Sequence, residues 1–155
     1  VDVSRVDPAT TVLGTSVTMP VLVAPTAFAK RAHPDGEAGI ARAAGAAGTV
    51  MTVSTLASST MEEIAAAAGG PLWYQLYVYR DRAVTEELVA RAEAAGYQAI
   101  VLTVDTPVLG HRERDTRNQF TLPDGVSVRN LETCRTVIDG ASKWPKESSF
   151  GAYIH

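Results

Sequence analysis

Four short apolar runs rich in β-branched residues recur along the chain, and they begin roughly 25 residues apart, as β-helix-β units with short loops do. They lie at residues 21–23, 50–53, 73–78 and 99–104. Continuous apolar runs are typical of buried parallel strands, and the segments between them carry apolar residues at helical spacing. The alternation predicts an α/β fold with right-handed crossovers and helices outside a parallel sheet. Either a (β/α) barrel or a doubly wound sheet satisfies this pattern.

The ends of the predicted helices carry local signals of their own. Thr60 followed by Glu63 forms a capping box, in which each side chain hydrogen-bonds the backbone N–H of the other residue. Gly48, Gly69 and Gly96 stand where left-handed C-terminal caps are expected. These signals place three helices between the four runs.

The composition limits the number of domains and the class of partner. The chain has 155 residues, 46% of them hydrophobic and 20% charged, which suits one domain spanning residues 1–155. A formal net charge of -3 provides no broad basic field for nucleic acid or an anionic membrane surface, so nucleic acid is not expected as a partner. One cysteine and three histidines without ligand spacing predict no metal site, and the cysteine count favours a cytoplasmic location.

The two ends of the chain differ from its repeating centre. Residues 1–19 alternate around Gly14 and predict an N-terminal hairpin that lies across the bottom of the domain, before the strands and helices of residues 20–105. Residues 106–155 contain many Gly and Pro residues without a strong period, and they predict a long loop after the fourth strand or a poorly ordered tail. Because the chain begins at Val1 without a signal pattern, it is expected to be part of something longer.

Polar side chains interrupt three of the four runs near their C-terminal ends. They come in pairs two residues apart, which puts both side chains of a pair on the same face of a strand. The pairs are Thr52 with Ser54, Gln75 with Tyr77, and Thr103 with Asp105. In a barrel that face can point inward, at the end where such barrels hold their active sites. The alternative is structural: Thr and Ser are tolerated in strands, and Gln75 could be hydrogen-bonded inside the core.

Asp105, Tyr77 and Arg112 each allow a functional and a structural interpretation. An unpaired carboxylate at the end of an apolar strand is costly, so Asp105 needs partners, either a catalytic imidazole or the backbone donors of an Asx turn. Tyr77 could donate a hydrogen bond to a substrate or pack its ring. Arg112 lies in a loop with two more arginines, where guanidinium groups either bind a small carboxylate or stay solvated. The chain has no G-x-G-x-x-G and no P-loop motif, which makes a doubly wound nucleotide-binding fold the weaker option.

Five sequence motifs together resemble one enzyme family. They are APTA at 24–27, HPDGE at 33–37, QLYVY at 75–79, LTVDTP at 102–107 and GHRE at 110–113. With these motifs the chain resembles the FMN-dependent α-hydroxy acid oxidases and dehydrogenases, such as glycolate oxidase, lactate oxidase and mandelate dehydrogenase, from about residue 12 to residue 123. The resemblance implies a (β/α)8 TIM barrel with FMN at its C-terminal rim, of which this chain holds roughly the first four β/α units, a half barrel.

The resemblance also implies a role for each matching residue. For the cofactor, it implies that a backbone segment lies along the isoalloxazine ring and that three side chains bind the pyrimidine end of the flavin. The segment is Ala24, Pro25, Thr26 and Ala27, and the side chains are Ser54, Gln75 and Thr103. For catalysis and substrate binding, it implies that Tyr77 contacts the hydroxy acid, Asp105 pairs with the catalytic histidine, and Arg112 lies near substrate and flavin.

Several parts of the family's site have no match in this chain. The resemblance places the catalytic histidine, its neighbouring arginine, the flavin-facing lysine and the phosphate site on the second half of the barrel. His33, His111 and His155 do not stand in the family's histidine motif. The chain by itself is therefore expected to be inactive.

Two functions remain open from the sequence. The complete enzyme is expected to oxidise a small (S)-2-hydroxy acid to the 2-oxo acid, with FMN as cofactor and oxygen, a quinone or a cytochrome as electron acceptor. The alternative is a catalytically inactive half-barrel module that self-associates, because a half barrel leaves its first and fourth strands unpaired at the edges. A homo-oligomer is expected in either case.

Overall fold

A computed structural model of the chain describes residues 4–105 and 110–134, so predictions that concern residues 1–3, 106–109 and 135–155 lie outside the described residues. The strands are β1 Thr10–Val12, β2 Thr15–Val17, β3 Met51–Val53, β4 Leu72–Leu76 and β5 Ala99–Leu102. The helices are α1 Gly36–Ala46, α2 Met61–Ala67, α3 Arg82–Ala94, α4 Glu113–Arg117 and α5 Arg129–Glu132, and a 3-10 turn at Ala29–Arg31 precedes α1. No helix within the described ranges is long and apolar enough to cross a membrane.

The parallel sheet has the strand order β3-β4-β5, with Met51 opposite Leu72 and Trp73 opposite Ala99. Strands that follow one another in the chain are neighbours in the sheet, and α2 and α3 are the crossovers between them. The order does not reverse, as it does at the switch point of a doubly wound sheet. The predicted α/β fold is confirmed, and this arrangement is that of one side of a (β/α) barrel.

The first predicted strand, residues 21–23, is reduced to a single bridge from Val23 to Met51. Val23 N donates to Val50 O at 2.9 Å, and Val23 O accepts from Thr52 N at the same distance. One proline directly precedes the segment and another follows two residues after it. Because proline lacks an N–H group and restricts the residue before it, the ladder stays short.

Local signals at the helix ends are confirmed at three positions. Thr60 Oγ1 accepts from Glu63 N at 3.2 Å, and Glu63 Oε2 accepts from Thr60 N at 2.9 Å, which completes the capping box of α2. Gly48 and Gly96 have positive φ angles of 66° and 83°. Both follow a helix, as left-handed caps do.

The prediction of a left-handed cap at Gly69 is wrong. Helix α2 ends at Ala67, and Ala68 is already extended. Gly69 and Gly70 instead lie so close to Gly45 of α1 that a Cβ atom on Gly45 would overlap their backbone. Gly45 and Gly70 are therefore required by the close approach of two chain segments, whereas a Cβ atom on Gly69 would make only an ordinary van der Waals contact.

The two faces of the sheet have different neighbours, because the side chains of a strand alternate. One face packs against the helices and buries Met51, Val53, Leu72, Tyr74 and Leu76 with Met61, Ile64, Leu88 and Ala92. The other face, which we call the inner face, carries Val50, Trp73, Ala99 and Val101 at the amino ends of the strands. Polar side chains continue the inner face toward the carboxyl ends.

An N-terminal hairpin lies across the amino ends of the strands. Its strands β1 and β2 pair antiparallel through Leu13 and Gly14, whose φ angles of 48° and 79° are those of a type I′ turn. Thr15 Oγ1 donates to Oε1 of Gln98, which directly precedes β5, at 3.0 Å. Val17 is buried against the inner face. The hairpin therefore closes the bottom of the sheet.

Residues 110–134 are more ordered than the long loop predicted for residues 106–155. Besides α4 and α5, this segment buries Val128, Leu131 and Cys134 in the core that faces the helices. Asn130 Oδ1 also accepts from Met61 N at 2.8 Å, which caps the first turn of α2 from outside. The order comes from distant partners, which the local composition does not show.

Arg91 on α3 connects this segment to two helices. Its Nη1 donates to Asn130 O at 2.9 Å, and its Nη2 donates to Thr133 Oγ1 at 3.0 Å. Nε and Nη2 also donate to the two carboxylate oxygens of Glu62, at 2.8 and 2.9 Å. One planar guanidinium group thus binds α2 and the α5 region together.

Replacing Arg91 with lysine is expected to lower the free energy of unfolding by about 1–2 kcal/mol, because an ammonium group keeps the charge but cannot make all of these planar contacts. Urea denaturation measures the loss. The matched control is Arg42→Lys, since Arg42 pairs with Asp35 on the surface, where the two side chains are 52% and 53% exposed. The control is expected to lose less than about 0.5 kcal/mol. Equal losses in the two variants would contradict the prediction.

The difference between wild type and Arg91→Lys is also expected to depend on pH. The hydrogen bonds from Arg91 lower the pKa of Glu62 below its ordinary value of 4.5. A carboxyl group with a lowered pKa stabilises the fold fully above its ordinary pKa and loses this effect as the pH falls through the lowered value. The free energies of unfolding of wild type and Arg91→Lys, measured in urea, should therefore converge as the pH falls through the lowered pKa of Glu62.

Candidate functional site

Polar side chains from three consecutive strands meet at the C-terminal end of the inner face. Ser54 directly follows β3, Gln75 lies in β4, and Thr103 directly follows β5. Ser54 and Gln75 are buried, and Thr103 is half-buried. The strand register, with Gln75 opposite Val101, puts the three side chains on one face. We call Ser54, Gln75 and Thr103 the polar triplet.

The amide of Gln75 joins the polar triplet. Its Oε1 accepts from Thr55 N at 3.1 Å and lies 3.5 Å from Ser54 Oγ, and its Nε2 donates to Thr103 Oγ1 at 2.8 Å. Because a backbone N–H group can only donate, Thr55 sets the amide with its oxygen toward β3 and its nitrogen toward β5. Gln75 is thus hydrogen-bonded inside the protein, and it also lies within the predicted polar cluster.

The hydroxyl groups of Thr103 and Ser54 can each form a further hydrogen bond. Thr103 Oγ1 accepts from Gln75, so its own proton points elsewhere, and no acceptor for it lies within hydrogen-bond distance in residues 4–105 and 110–134. Ser54 Oγ accepts from Leu56 N at 3.1 Å, and its contact with Gln75 is at the limit of a hydrogen bond. The triplet therefore presents donors beside a rigid amide.

Tyr77, Asp105 and Arg112 interact electrostatically at the same rim. Tyr77 directly follows β4 and is half-buried, whereas Asp105 and Arg112 are exposed. Burial raises the pKa of the Tyr77 hydroxyl, the negative charge of Asp105 raises it further, and the positive charge of Arg112 lowers it. The hydroxyl is therefore protonated at neutral pH and can donate a hydrogen bond. The structure thus brings these three predicted site residues into one electrostatic environment.

Residues 24–27 lie exposed at the carboxyl end of the first strand segment. Phe28 directly follows them, and its φ of 55° lies in the left-handed region. Phe28 N donates to Leu56 O at 3.1 Å, which connects this loop to the loop after β3. The segment that the family resemblance places along the isoalloxazine ring therefore borders the loop that carries Ser54.

A cation–π contact connects the chain after the first strand with the chain after α4. The guanidinium carbon of Arg31 lies 4.7 Å from the centre of the Phe120 ring. Arg112 belongs to the same segment as Phe120, and its Nη1 lies 3.8 Å from Asp115 Oδ2. The contact therefore positions the segment that carries one of the predicted site residues.

Two residues that organise this region received no role from the sequence. Thr55 orients the Gln75 amide, and a threonine in a loop gives no signal that could have identified it. Glu37 is completely buried and accepts from the backbone N–H groups of Ala29 and Ser58, at 3.0 and 2.8 Å. Its only signal was its place in the HPDGE motif.

Comparisons with known proteins identify relatives that match most of the chain. A family model described as FMN-dependent dehydrogenase matches residues 1–152. Glycolate oxidase 1 of Zea mays is 57% identical over 132 residues, and glycolate oxidase of Spinacia oleracea is 53% identical over the same number. Each match covers 85% of this chain and 36% of the relative. The chain thus spans little more than a third of the length of these relatives.

Solved structures of mandelate oxidase share the fold. A mandelate oxidase mutant with (S)-mandelic acid has a TM-score of 0.78 at 46% identity, over 82% of this chain and 38% of that one. A mutant with the C4a-OH-FMN adduct has a TM-score of 0.80 at 45% identity, over 84% of this chain and 40% of that one. The fold seen here therefore corresponds to part of those longer proteins, and the match of residues 1–152 shows that the chain belongs to the FMN-dependent dehydrogenase family.

Proposed function

We propose that this chain supplies part of the FMN and substrate site of an enzyme that oxidises a small (S)-2-hydroxy acid to the 2-oxo acid. The polar triplet, with Tyr77 directly after β4 at the same end of the strands, carries the proposal. The relatives support the substrate class, because they are named glycolate oxidase and mandelate oxidase with (S)-mandelic acid. The chain covers 36% of the glycolate oxidases, so the activity is proposed for the complete enzyme.

The polar triplet fits the pyrimidine end of FMN. That end of the ring alternates carbonyl oxygens with nitrogen atoms, which neutral donors and acceptors can hold in place. The Thr103 hydroxyl has a proton without an acceptor in the described residues, and the Ser54 hydroxyl is only loosely held. The Gln75 amide, fixed by Thr55, gives these groups a rigid support. When bound, FMN supplies the electron-accepting ring of the oxidation.

Residues 24–27 fit the role of a wall for the flavin ring. Their sequence is Ala-Pro-Thr-Ala, and all four are exposed at the same end of the inner face as the triplet. Small side chains allow the backbone to approach a flat ring closely. We propose that this segment and the triplet bind different parts of one ring.

Three residues fit the binding and oxidation of a hydroxy acid: Tyr77, Asp105 and Arg112. Tyr77 is protonated and donates a hydrogen bond to a substrate oxygen, while the Arg112 guanidinium attracts the substrate carboxylate. Asp105 holds the proton on an imidazole that another part of the enzyme contributes, after that imidazole has taken a proton from the substrate. We propose that Tyr77 and Asp105 are catalytic and that Tyr77 and Arg112 bind substrate.

The remaining partners are proposals of the same kind. Oxygen is favoured over a quinone or a cytochrome as electron acceptor, because the matched relatives are named oxidases. A homo-oligomer is proposed from the open sheet edge, and a cytoplasmic location from the single cysteine.

A second candidate function is self-association of a half-barrel module. Among the described strands β5 pairs only with β4, so its other edge carries unpaired backbone groups. Ile100, Leu102 and Val104, on the face of β5 opposite to the inner face, are 42%, 52% and 75% exposed. Parallel sheets normally bury both faces. A second copy that continued the sheet would cover this edge.

Replacing Gln75 with leucine is expected to weaken FMN binding by the chain about tenfold or more, because leucine fills a similar volume but cannot bind Thr55 and Thr103. Quenching of FMN fluorescence and the visible spectrum of the bound flavin measure the affinity. Gln98→Leu is the matched control, since Gln98 lies at the opposite end of the strands. It is expected to keep the affinity of wild type within about twofold.

Two outcomes of this titration would count against the proposal. Absence of FMN binding by the wild-type chain would contradict the role of the polar triplet. Reduction of the bound flavin on addition of glycolate or (S)-mandelate would contradict the assignment of the base to another part of the enzyme. Chemical reduction with dithionite serves as the control that bound flavin can be reduced.

The pKa of Tyr77 is expected to shift in opposite directions in two charge variants. Asp105→Asn removes a negative charge and should lower this pKa, whereas Arg112→Leu removes a positive charge and should raise it. The ultraviolet absorbance of the phenolate, followed against pH, measures both shifts. Subtracting the titration of Tyr77→Phe removes the other tyrosines. A pKa that stays unchanged in both variants would show that the three groups do not share one rim.

Self-association through β5 is expected to give a particle of twice the mass of the chain in sedimentation experiments. Leu102→Glu should convert it to a monomer, because a charge would be buried at the new contact. Leu13→Glu is the control, since Leu13 is 76% exposed at the hairpin tip. A wild-type chain that sediments as a monomer would rule out this function.

A further inference from the structure

Glu37 carries a buried carboxylate that no cation neutralises among the described residues. The residue is 0% exposed, and none of the ion pairs within residues 4–105 and 110–134 involves it. Burial of a carboxylate is unfavourable unless hydrogen bonds replace those lost to water. A carboxylate at such a position therefore needs several donors.

Those donors come from two separate loops. Glu37 Oε1 accepts from Ala29 N at 3.0 Å and from Ser58 N at 2.8 Å, and Ser58 Oγ lies 2.9 Å from each carboxylate oxygen. Glu37 also belongs to the first turn of α1, where the helix dipole stabilises a negative charge. Backbone groups and the helix thus take the place of a counter-ion.

The two loops that Glu37 joins are those that carry the predicted flavin contacts. Ala29 ends the loop that begins with residues 24–27, and Ser58 lies in the loop that begins at Ser54. Two further hydrogen bonds connect the loops: Phe28 N donates to Leu56 O and Lys30 N donates to Ser58 Oγ, each at 3.1 Å. Glu37 stands at the centre of this set, because its carboxylate contacts both loops from a third element, α1.

We propose that Glu37 is a positioning residue for the flavin site, an inference that rests on the proposed function. It sets the separation between the backbone wall at residues 24–27 and the polar triplet. If the carboxylate were shortened, the two loops could move apart, and the wall and the triplet could no longer contact the same ring. Glu37 does not itself touch the ring, since it is buried behind both loops.

The length of the Glu37 side chain, rather than its charge, performs this role. Glutamine has the same length, and its oxygen can still accept from Ala29 N and Ser58 N while its NH2 group donates to Ser58 Oγ. Aspartate keeps the charge but is one methylene shorter, so it cannot reach both loops. The two substitutions therefore separate length from charge.

The test is the dissociation constant of FMN, measured by fluorescence quenching on the wild-type chain and its variants under conditions in which urea curves show each to be folded. Glu37→Gln is expected to bind within about threefold of wild type, and Glu37→Asp about tenfold more weakly. Ser58→Ala, which removes one bridging hydroxyl, is expected to bind FMN several-fold more weakly. If Glu37→Asp does not fold, Ser58→Ala tests the positioning role in its place. Thr49→Val is the control: it removes a partly buried hydrogen bond to Val21 O at the other end of the strands and should leave the affinity unchanged.

Amide hydrogen exchange of the chain without FMN gives a second readout. The amides of Ala29 and Ser58 should exchange faster in Glu37→Asp than in Thr49→Val, while the amides of α3 exchange at equal rates in both. A local increase of this kind supports the positioning role, and a uniform increase over the whole chain overturns it.

The outcomes separate this inference from the proposed function. Wild-type affinity in both Glu37→Asp and Ser58→Ala would overturn the positioning role and leave the proposed function standing. A loss in Glu37→Gln as large as in Glu37→Asp would overturn the role of side-chain length. If the wild-type chain does not bind FMN, the proposed function and this inference both fail.

Discussion

The parallel register of β3, β4 and β5 is the constraint on which the arrangement of the site depends. Because side chains alternate along a strand, the pairing of Gln75 with Val101 decides which residues share the inner face. A slip by one residue would turn Gln75 toward the helices and bring Leu76 to the inner face. Val17 and Val50, buried at the amino end of the same face, oppose such a slip because their burial would be lost with it.

Polar contacts over long sequence distances then position the loops around this sheet. Glu37 joins the loop after the first strand to the loop after β3, and Arg91 joins α3 to α2 and to the α5 region. Both groups are charged and at least partly withdrawn from water, so their net effect on stability is smaller than their number of contacts indicates. Their main consequence is geometric, because each allows only one arrangement of the segments it joins.

Sequence reasoning succeeded where the controlling interactions are short-range. The capping box of Thr60 and Glu63, the turn at Gly14 and the left-handed Gly48 depend on neighbours a few residues away. It was wrong at Gly69, where α2 has already ended and the backbone of Gly69 and Gly70 packs against Gly45 of another helix. The same cause explains the order of residues 110–134, whose partners lie on α2 and α3.

The sequence by itself determined the α/β alternation, the pairing of polar residues on one strand face and the family motifs, because each of these is a local pattern of residue types. Only the tertiary structure decided that Thr55 orients the Gln75 amide, that Ser58 donates a hydrogen bond to Glu37, and that Asn130 caps α2. These contacts join residues 20, 21 and 69 positions apart. No local pattern specifies such partners, since they meet only after the strands have paired and the helices have packed.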